Sequence, residues 1–164
     1  MLGLSALGVF HTAVSLAAIA AGAWALARDR QILVSNRVGL FYLATTAITA
    51  ATALMMFRHD AFRIGHWFSV LTLAVLAIGT AAATTPLFGR ASRYVQAFCF
   101  SSTLLIHMIT GSAETLTRLP PDAPLVTAAN AYVFTYITIG LVLAFLLGIG
   151  LQMWWLAFRA PAHT

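Results

Sequence analysis

Long apolar runs separated by short polar breaks dominate the pattern of this chain. A helix that crosses the hydrocarbon core of a bilayer needs about 20 mostly apolar residues, because each residue advances about 1.5 Å along the axis. Five runs reach or approach that length, at residues 2–27, 38–57, 67–85, 95–117 and 131–158. The pattern predicts an all-α polytopic transmembrane bundle of five spans, with a four-helix core and a fifth helix alongside, in one domain over residues 1–164.

The polar breaks between these runs are short and contain helix-stopping residues. Arg28-Asp29-Arg30 follows the first run, Pro86 follows the third, and Pro120-Pro121 follows the fourth. Short connections favour antiparallel packing of consecutive helices. The first run has no basic segment before it and is longer than the apolar part of a signal peptide, so we expect it to be a retained membrane helix.

The arginines predict an orientation. With five spans, one side of the membrane receives six arginines and the other receives three. The six are Arg28, Arg30, Arg37, Arg90, Arg93 and Arg159, and the three are Arg58, Arg63 and Arg118. Because loops rich in Lys and Arg stay in the cytoplasm, we expect the N-terminus outside and the C-terminus inside. A multi-pass protein of a bacterial inner membrane fits this pattern.

Composition supports the membrane class and excludes several others. Hydrophobic residues make up 61% of the chain and charged residues 8%, whereas a soluble domain has about 25% charged residues. The nine basic residues, all arginine, are scattered between apolar runs and form no basic patch, so we expect no nucleic-acid partner. A single cysteine, Cys99, excludes an internal disulfide, and no hydrolase or nucleotide-binding motif occurs.

The distribution of histidines is the most informative polar feature. His11 and His107 lie well inside predicted spans, while His59, His66 and Glu114 lie at the outer boundary. In the predicted orientation all five residues fall in the outer half of the bilayer. Ionisable groups inside a membrane are costly, so each is a candidate functional residue. Glu114 and Arg118 are four residues apart on one helix face, and we expect them to pair.

Three kinds of chemistry could use these residues. His11 and His107 could ligate haem b axially, with Arg118 facing the propionates. A Zn, Cu or Fe ion could instead be bound by His11, His66 and His107. A proton or quinone site needs no metal, and in each case Glu114 serves as the catalytic proton donor or acceptor.

The leading hypothesis is a redox, electron-transport protein with a quinone or another protein as its partner. Two other functions stay open. The chain could be a non-catalytic accessory subunit, or a small transport or binding protein, whose histidines only bridge helices. It could also be a metal-dependent membrane hydrolase. On the fifth run, Gly140, Ala144 and Gly148 form a stripe of small residues, which indicates close helix packing or homo-oligomer formation.

Several motifs resemble an uncharacterised bacterial family of small multi-helix integral membrane proteins. The segment Arg37-Val38-Gly39-Leu40-Phe41-Tyr42 is similar to an R-x-G-x-x-Y motif of that family. His11, and Gly65-His66 followed by Ser69, are also similar. The resemblance spans roughly residues 10–120 and implies a bacterial inner-membrane protein. It singles out His11 and His66 and implies no particular activity.

Overall fold

Five long helices form the structure. The computed structural model describes residues 5–56 and 64–158, and within these ranges the chain contains helices and no strand. The helices are α1 (Ala6–Asp29), α2 (Arg37–Met55), α3 (Ile64–Thr84), α4 (Ser92–Leu116) and α5 (Tyr132–Phe158). Short 3₁₀ helices at Pro86–Ala91 and Ala128–Asn130 precede α4 and α5. The five long helices are each apolar enough to cross a membrane, which confirms the prediction of a multi-pass helical protein.

Side-chain caps fix where the first two helices begin. The hydroxyl of Ser5 accepts a hydrogen bond from the backbone N–H of Gly8 at 3.1 Å. Asn36 does the same for Gly39 at 2.8 Å. These caps satisfy backbone donors that the first turn of a helix leaves without a partner. The first helix ends at Arg30, whose φ of 59° is left-handed and turns the chain towards α2.

The helices differ from the predicted spans mainly at their ends. The fourth helix begins at Ser92 rather than Val95, and the third is already helical at Ile64, the first residue described there, rather than from Trp67. A span prediction follows apolar side chains, whereas a helix keeps its backbone hydrogen bonds beyond the hydrocarbon core. The predicted start at Leu2 and the predicted end at Phe57 lie outside the described residues.

Consecutive helices pack against each other. Helix α1 packs on α2, α2 on α3, α3 on α4, and α4 on α5. The fifth helix buries only Gln152 and Leu156, so it lies at the edge of the bundle. This arrangement agrees with a four-helix core and a fifth helix alongside.

Glycines bring the core helices close together around two fully buried aromatic rings, those of Tyr42 and Phe100. A Cβ atom on Gly22 of α1 would lie 2.7 Å from the Tyr42 ring. A Cβ atom on Gly79 of α3 would lie 2.6 Å from the Phe100 ring. The absence of a side chain at these two positions therefore makes room for the two rings.

The first turn of α2 is in contact with the loop that precedes it. A Cβ atom on Gly39 would collide with the backbone carbonyl oxygen of Leu33. Three residues further on, Tyr42 points into the core. The glycine and the tyrosine of the R-x-G-x-x-Y motif thus have structural roles, one in the loop contact and one in the core.

The small-residue stripe of α5 has a different environment. A Cβ atom on Gly140 or Gly148 would meet no atom within 4 Å, and Ala144 is exposed. The interpretation that this stripe packs tightly within the bundle is therefore wrong. A contact between two copies of the chain through these residues stays a prediction.

Candidate functional site

Buried threonines form a polar face on α2. They are Thr45, Thr46, Thr49 and Thr52. Two of the hydroxyls bond within the helix, since Thr52 donates to the carbonyl oxygen of Ile48 at 2.8 Å and Thr45 donates to that of Phe41 at 2.7 Å. A threonine that donates to its own helix keeps oxygen lone pairs for a neighbouring donor. The polar face of α2 can therefore accept hydrogen bonds from other helices without disturbing the helix.

His11 of α1 binds one end of this face. Its Nδ1 lies 2.9 Å from the hydroxyl oxygen of Thr52. When the Thr52 hydrogen is directed at the backbone carbonyls of α2, Nδ1 of His11 carries a hydrogen and donates it to Thr52. In the neutral ring, Nε2 then carries the lone pair. His11 is thereby oriented as a potential proton acceptor or ligand through Nε2.

Ser15, one turn along α1 from His11, extends the contact with α2. Its hydroxyl donates to the carbonyl oxygen of His11 at 2.7 Å and lies 3.5 Å from the hydroxyl of Thr49. His11 and Ser15 therefore both face α2.

His107 of α4 reaches the same face of α2 nearer its start. Its Nε2 lies 3.2 Å from the hydroxyl oxygen of Thr46, and the residue is only 6% exposed. The ring of Tyr42 is edge-on to it, with 6.5 Å between ring centroids. The structure therefore places both histidines that the sequence assigned to span interiors against the same face of α2.

Tyr42 closes this polar region on the side of the apolar core. Its hydroxyl lies 2.7 Å from that of Thr103, and Thr103 donates to the carbonyl oxygen of Phe100 at 2.8 Å. The Tyr42 hydroxyl also lies 3.3 Å from the carbonyl oxygen of Phe100, so the two hydroxyls share this acceptor. We call His11, Ser15, Thr52, Thr49, Thr46, His107, Tyr42 and Thr103 the polar column. From Thr52 to Tyr42 it follows α2 for about 15 Å, or half the hydrocarbon thickness.

His66 lies on α3, in the first two turns of the helix. It is 4% exposed, and Ser69 and Thr72 follow it at spacings that keep all three on one buried face. The packing of α3 on α2 and α4 turns this face towards the bundle interior. Because neighbouring helices are antiparallel, His66 lies at the same end of the bundle as His11.

Glu114 and Arg118 form the ion pair that their spacing predicts, with 2.7 Å between the charged atoms. The side chain of Glu114 is 63% exposed and that of Arg118 is 46% exposed. Glu114 lies in the last turn of α4, which packs on α1. The pair therefore lies at the rim of the polar column, at the end where α1 begins.

The structure does not bring the predicted metal ligands together as a set. Across residues 5–56 and 64–158, no three His, Cys, Asp or Glu side chains form a group that could hold a metal ion. His11 and His107 each face a threonine of α2, while His66 lies on α3. A metal ion shared by all three histidines stays a prediction. His59, Arg58 and Arg63 lie outside the described residues, as do Arg159 and His163.

The hydrophobic pattern of the sequence does not predict the threonine partners of the histidines. In the sequence, Thr45, Thr46, Thr49 and Thr52 belong to a stretch of small residues on the second span. Their spacing of three to four residues places hydroxyls along one side of a helix, and that spacing was the available signal. Gln152, the one amide side chain inside the fifth span, is also not among the site residues that the sequence predicts.

Comparisons with known proteins give no independent assignment of function. No protein-family model, curated protein or solved structure matches this chain. The residues of the polar column are therefore the main evidence for function.

Proposed function

We propose that this chain is a membrane redox protein that exchanges protons through the polar column. The column would connect a reaction site near the middle of the bilayer with the surface at the Glu114 end. One observation supports this proposal above the others: two histidines from different helices bind hydroxyls on a single face of α2. Imidazoles and hydroxyls both donate and accept protons, so a chain of them can relay a proton.

The two ends of the column differ, which supports exchange with one side of the membrane. At one end the carboxylate of Glu114 is exposed. At the other end Tyr42 and Phe100 are fully buried, and Gly22 and Gly79 bring neighbouring helices against their rings. Protons would therefore enter at the Glu114 end and stop at Tyr42.

Proton access can be measured from the imidazole nitrogens. In vesicles with a clamped internal pH, we expect the ¹⁵N signals of His11 and His107 to respond to the pH at the Glu114 end only. Thr46→Val keeps the volume near His107 but removes its hydroxyl partner, and we expect it to slow the response of His107. Thr80→Val on α3 is the matched control, because the Thr80 hydroxyl bonds only to its own helix in the described part of the chain.

Two results would contradict proton exchange. Signals that ignore the pH on both sides would favour the alternative in which the histidines only bridge helices. A response of His107 to the pH at the Tyr42 end would show that protons enter the column at that end and not at the Glu114 end.

A second candidate is a resident redox cofactor held by His11 and His107. A haem needs only two axial ligands, so it does not require the three-residue group that metal sites use. The lone pair on Nε2 of His11 supports this candidate. So does the space beside Gly111, where an added Cβ would meet only Ile19, at 3.7 Å. Ligation by Nε2 of His107 would require that its hydrogen bond to Thr46 be broken.

The cofactor candidate has a direct spectroscopic test. We expect purified protein to show a Soret band, or to contain one equivalent of Fe, Cu or Zn per chain by elemental analysis. The signal should disappear in His11→Ala and in His107→Ala and persist in Ser102→Ala, which removes a hydroxyl bonded only to α4 in the described structure. Protein that is colourless and free of metal would exclude this candidate and leave proton exchange to be tested by itself.

A further inference from the structure

A groove lies between α1, α4 and α5 and shares no residue with the polar column. Its volume is about 380 Å³. Sites for small molecules range from about 300 to 1,000 Å³. The groove exists because α5 packs on α4 and makes few contacts with α1.

The walls of the groove are apolar over most of its length. Leu104, Leu105 and Met108 form the α4 wall, and the α5 wall begins at Leu141 and continues to Gln152. The distance from Leu141 to Gln152 corresponds to about 16 Å of helix, which is close to half of a hydrocarbon core of about 30 Å. The apolar part of the groove therefore has about the length of a lipid acyl chain in one leaflet.

The end of the groove at the membrane surface is polar. Gln152 is buried there, where its amide donates to the carbonyl oxygen of Arg30 at 2.6 Å and accepts from Ser101 at 3.0 Å. The guanidinium of Arg30 lies 6.0 Å from the centre of the Trp155 ring. Arg and Trp are typical of the interface where lipid headgroups begin. The polar end of the groove therefore coincides with headgroup depth.

Arg30 gives this end a positive charge that is available to a ligand. Its side chain is exposed. In the described ranges the ion pairs are those of Arg28 with Asp29 and of Arg118 with Glu114, and neither includes Arg30. A second cavity of about 290 Å³ adjoins the groove at Arg30 and Trp155, and its other lining residues are Arg28, Asp29, Gln31 and Leu33. Arg28 neutralises Asp29 through their ion pair, so Arg30 supplies the net positive charge there. A headgroup could lie there while its chain follows the groove.

We propose that the groove binds one anionic phospholipid, with an acyl chain between α4 and α5 and the phosphate against Arg30. The length of the groove favours a lipid acyl chain, and the exposed guanidinium of Arg30 favours a negatively charged headgroup. Guanidinium groups bind phosphate oxygens well because their N–H donors match the geometry of the anion. Ala144 and Gly148 contribute to the groove wall, and their small size keeps it open.

Lipid retention by the purified full-length protein tests this proposal. In detergent, we expect native mass spectrometry to show one bound dioleoyl phosphatidylglycerol and weaker binding of dioleoyl phosphatidylcholine. Arg30→Gln should weaken phosphatidylglycerol binding about five-fold, since a basic residue near an anionic lipid surface contributes about 1 kcal/mol. Arg90→Gln, which removes an exposed arginine outside the groove, should leave binding unchanged.

Gly148→Leu tests the acyl-chain part separately. An added Cβ at Gly148 meets nothing within 4 Å, so we expect the variant to fold and its side chain to fill the groove. Binding of both lipids should be lost. Gly150→Leu is the matched control, because Gly150 is equally open but does not line the groove.

Four outcomes would overturn the proposal. The first is unchanged lipid binding in Gly148→Leu, and the second is an equal loss of phosphatidylglycerol binding in Arg90→Gln and Arg30→Gln. The third is thermal stabilisation by glycerol phosphate that equals the stabilisation by the lipid. The fourth is a dimer of the chain that Gly148→Leu dissociates without any change in bound lipid. The third would indicate an anion site without a lipid chain, and the fourth would indicate that a second copy covers the groove.

Discussion

Replacing Gly39 with alanine should destabilise the folded protein by about 3 kcal/mol, at the upper end of the cost of overpacking. The added methyl group would collide with the carbonyl oxygen of Leu33, which is backbone and cannot rotate away. The loop before α2, or the first turn of α2 itself, would have to move. Unfolding in mixed micelles of increasing denaturing-detergent fraction measures the change in free energy.

Gly65→Ala provides the control for this substitution. Gly65 also lies in the first turn of a helix, but an added Cβ there would meet no atom within 4 Å. Alanine is the better helix former by about 0.5–1 kcal/mol, so Gly65→Ala should leave stability unchanged or raise it. Equal stability of the two variants would show that the loop carrying Leu33 does not lie against the first turn of α2.

Replacing Tyr42 with alanine should cost about 3–5 kcal/mol, the range for truncating a large buried aromatic residue. The ring is fully buried and fits against Gly22, so its removal leaves a cavity in the centre of the bundle. Thr103 would also lose its hydrogen bond with the Tyr42 hydroxyl. The same unfolding measurement detects the loss.

Tyr42→Phe separates packing from hydrogen bonding. It keeps the ring and removes only the hydroxyl, so we expect a cost of about 1 kcal/mol. Tyr136→Ala on the exposed face of α5 should have little effect. If Tyr42→Phe were as damaging as Tyr42→Ala, the hydroxyl would contribute more to stability than the ring, and packing of the ring against Gly22 would not be the main role of Tyr42.

The sequence was sufficient to predict the helices because a membrane constrains them strongly. Backbone groups in hydrocarbon must bond within their own segment, so a long apolar run has few alternatives to a helix. The Glu114–Arg118 pair could be predicted for a related reason, since a spacing of four residues within one helix fixes the distance between side chains. Both predictions depend only on local geometry.

The partners of the histidines depend on how helices rotate and slide against each other. His11 meets Thr52 and His107 meets Thr46 because close contacts, such as that of Gly22 with Tyr42, set the positions of α1 and α4 on α2. A single sequence carries little information about such a register. The hydrogen-bond partners of Gln152 on α5 could not be predicted for the same reason, although an amide inside a membrane span is costly to bury without partners.

The bonds of Gln152 have a consequence for how the bundle assembles. Helix α5 carries no charged residue, so it can insert into a bilayer by itself, and its sliding against α4 would meet little resistance from apolar contacts alone. The amide of Gln152 joins it to Ser101 of α4 and to the carbonyl oxygen at the end of α1. Only one depth of insertion satisfies both bonds. The insertion depth of the fifth helix is thereby set by one polar side chain that has two partners.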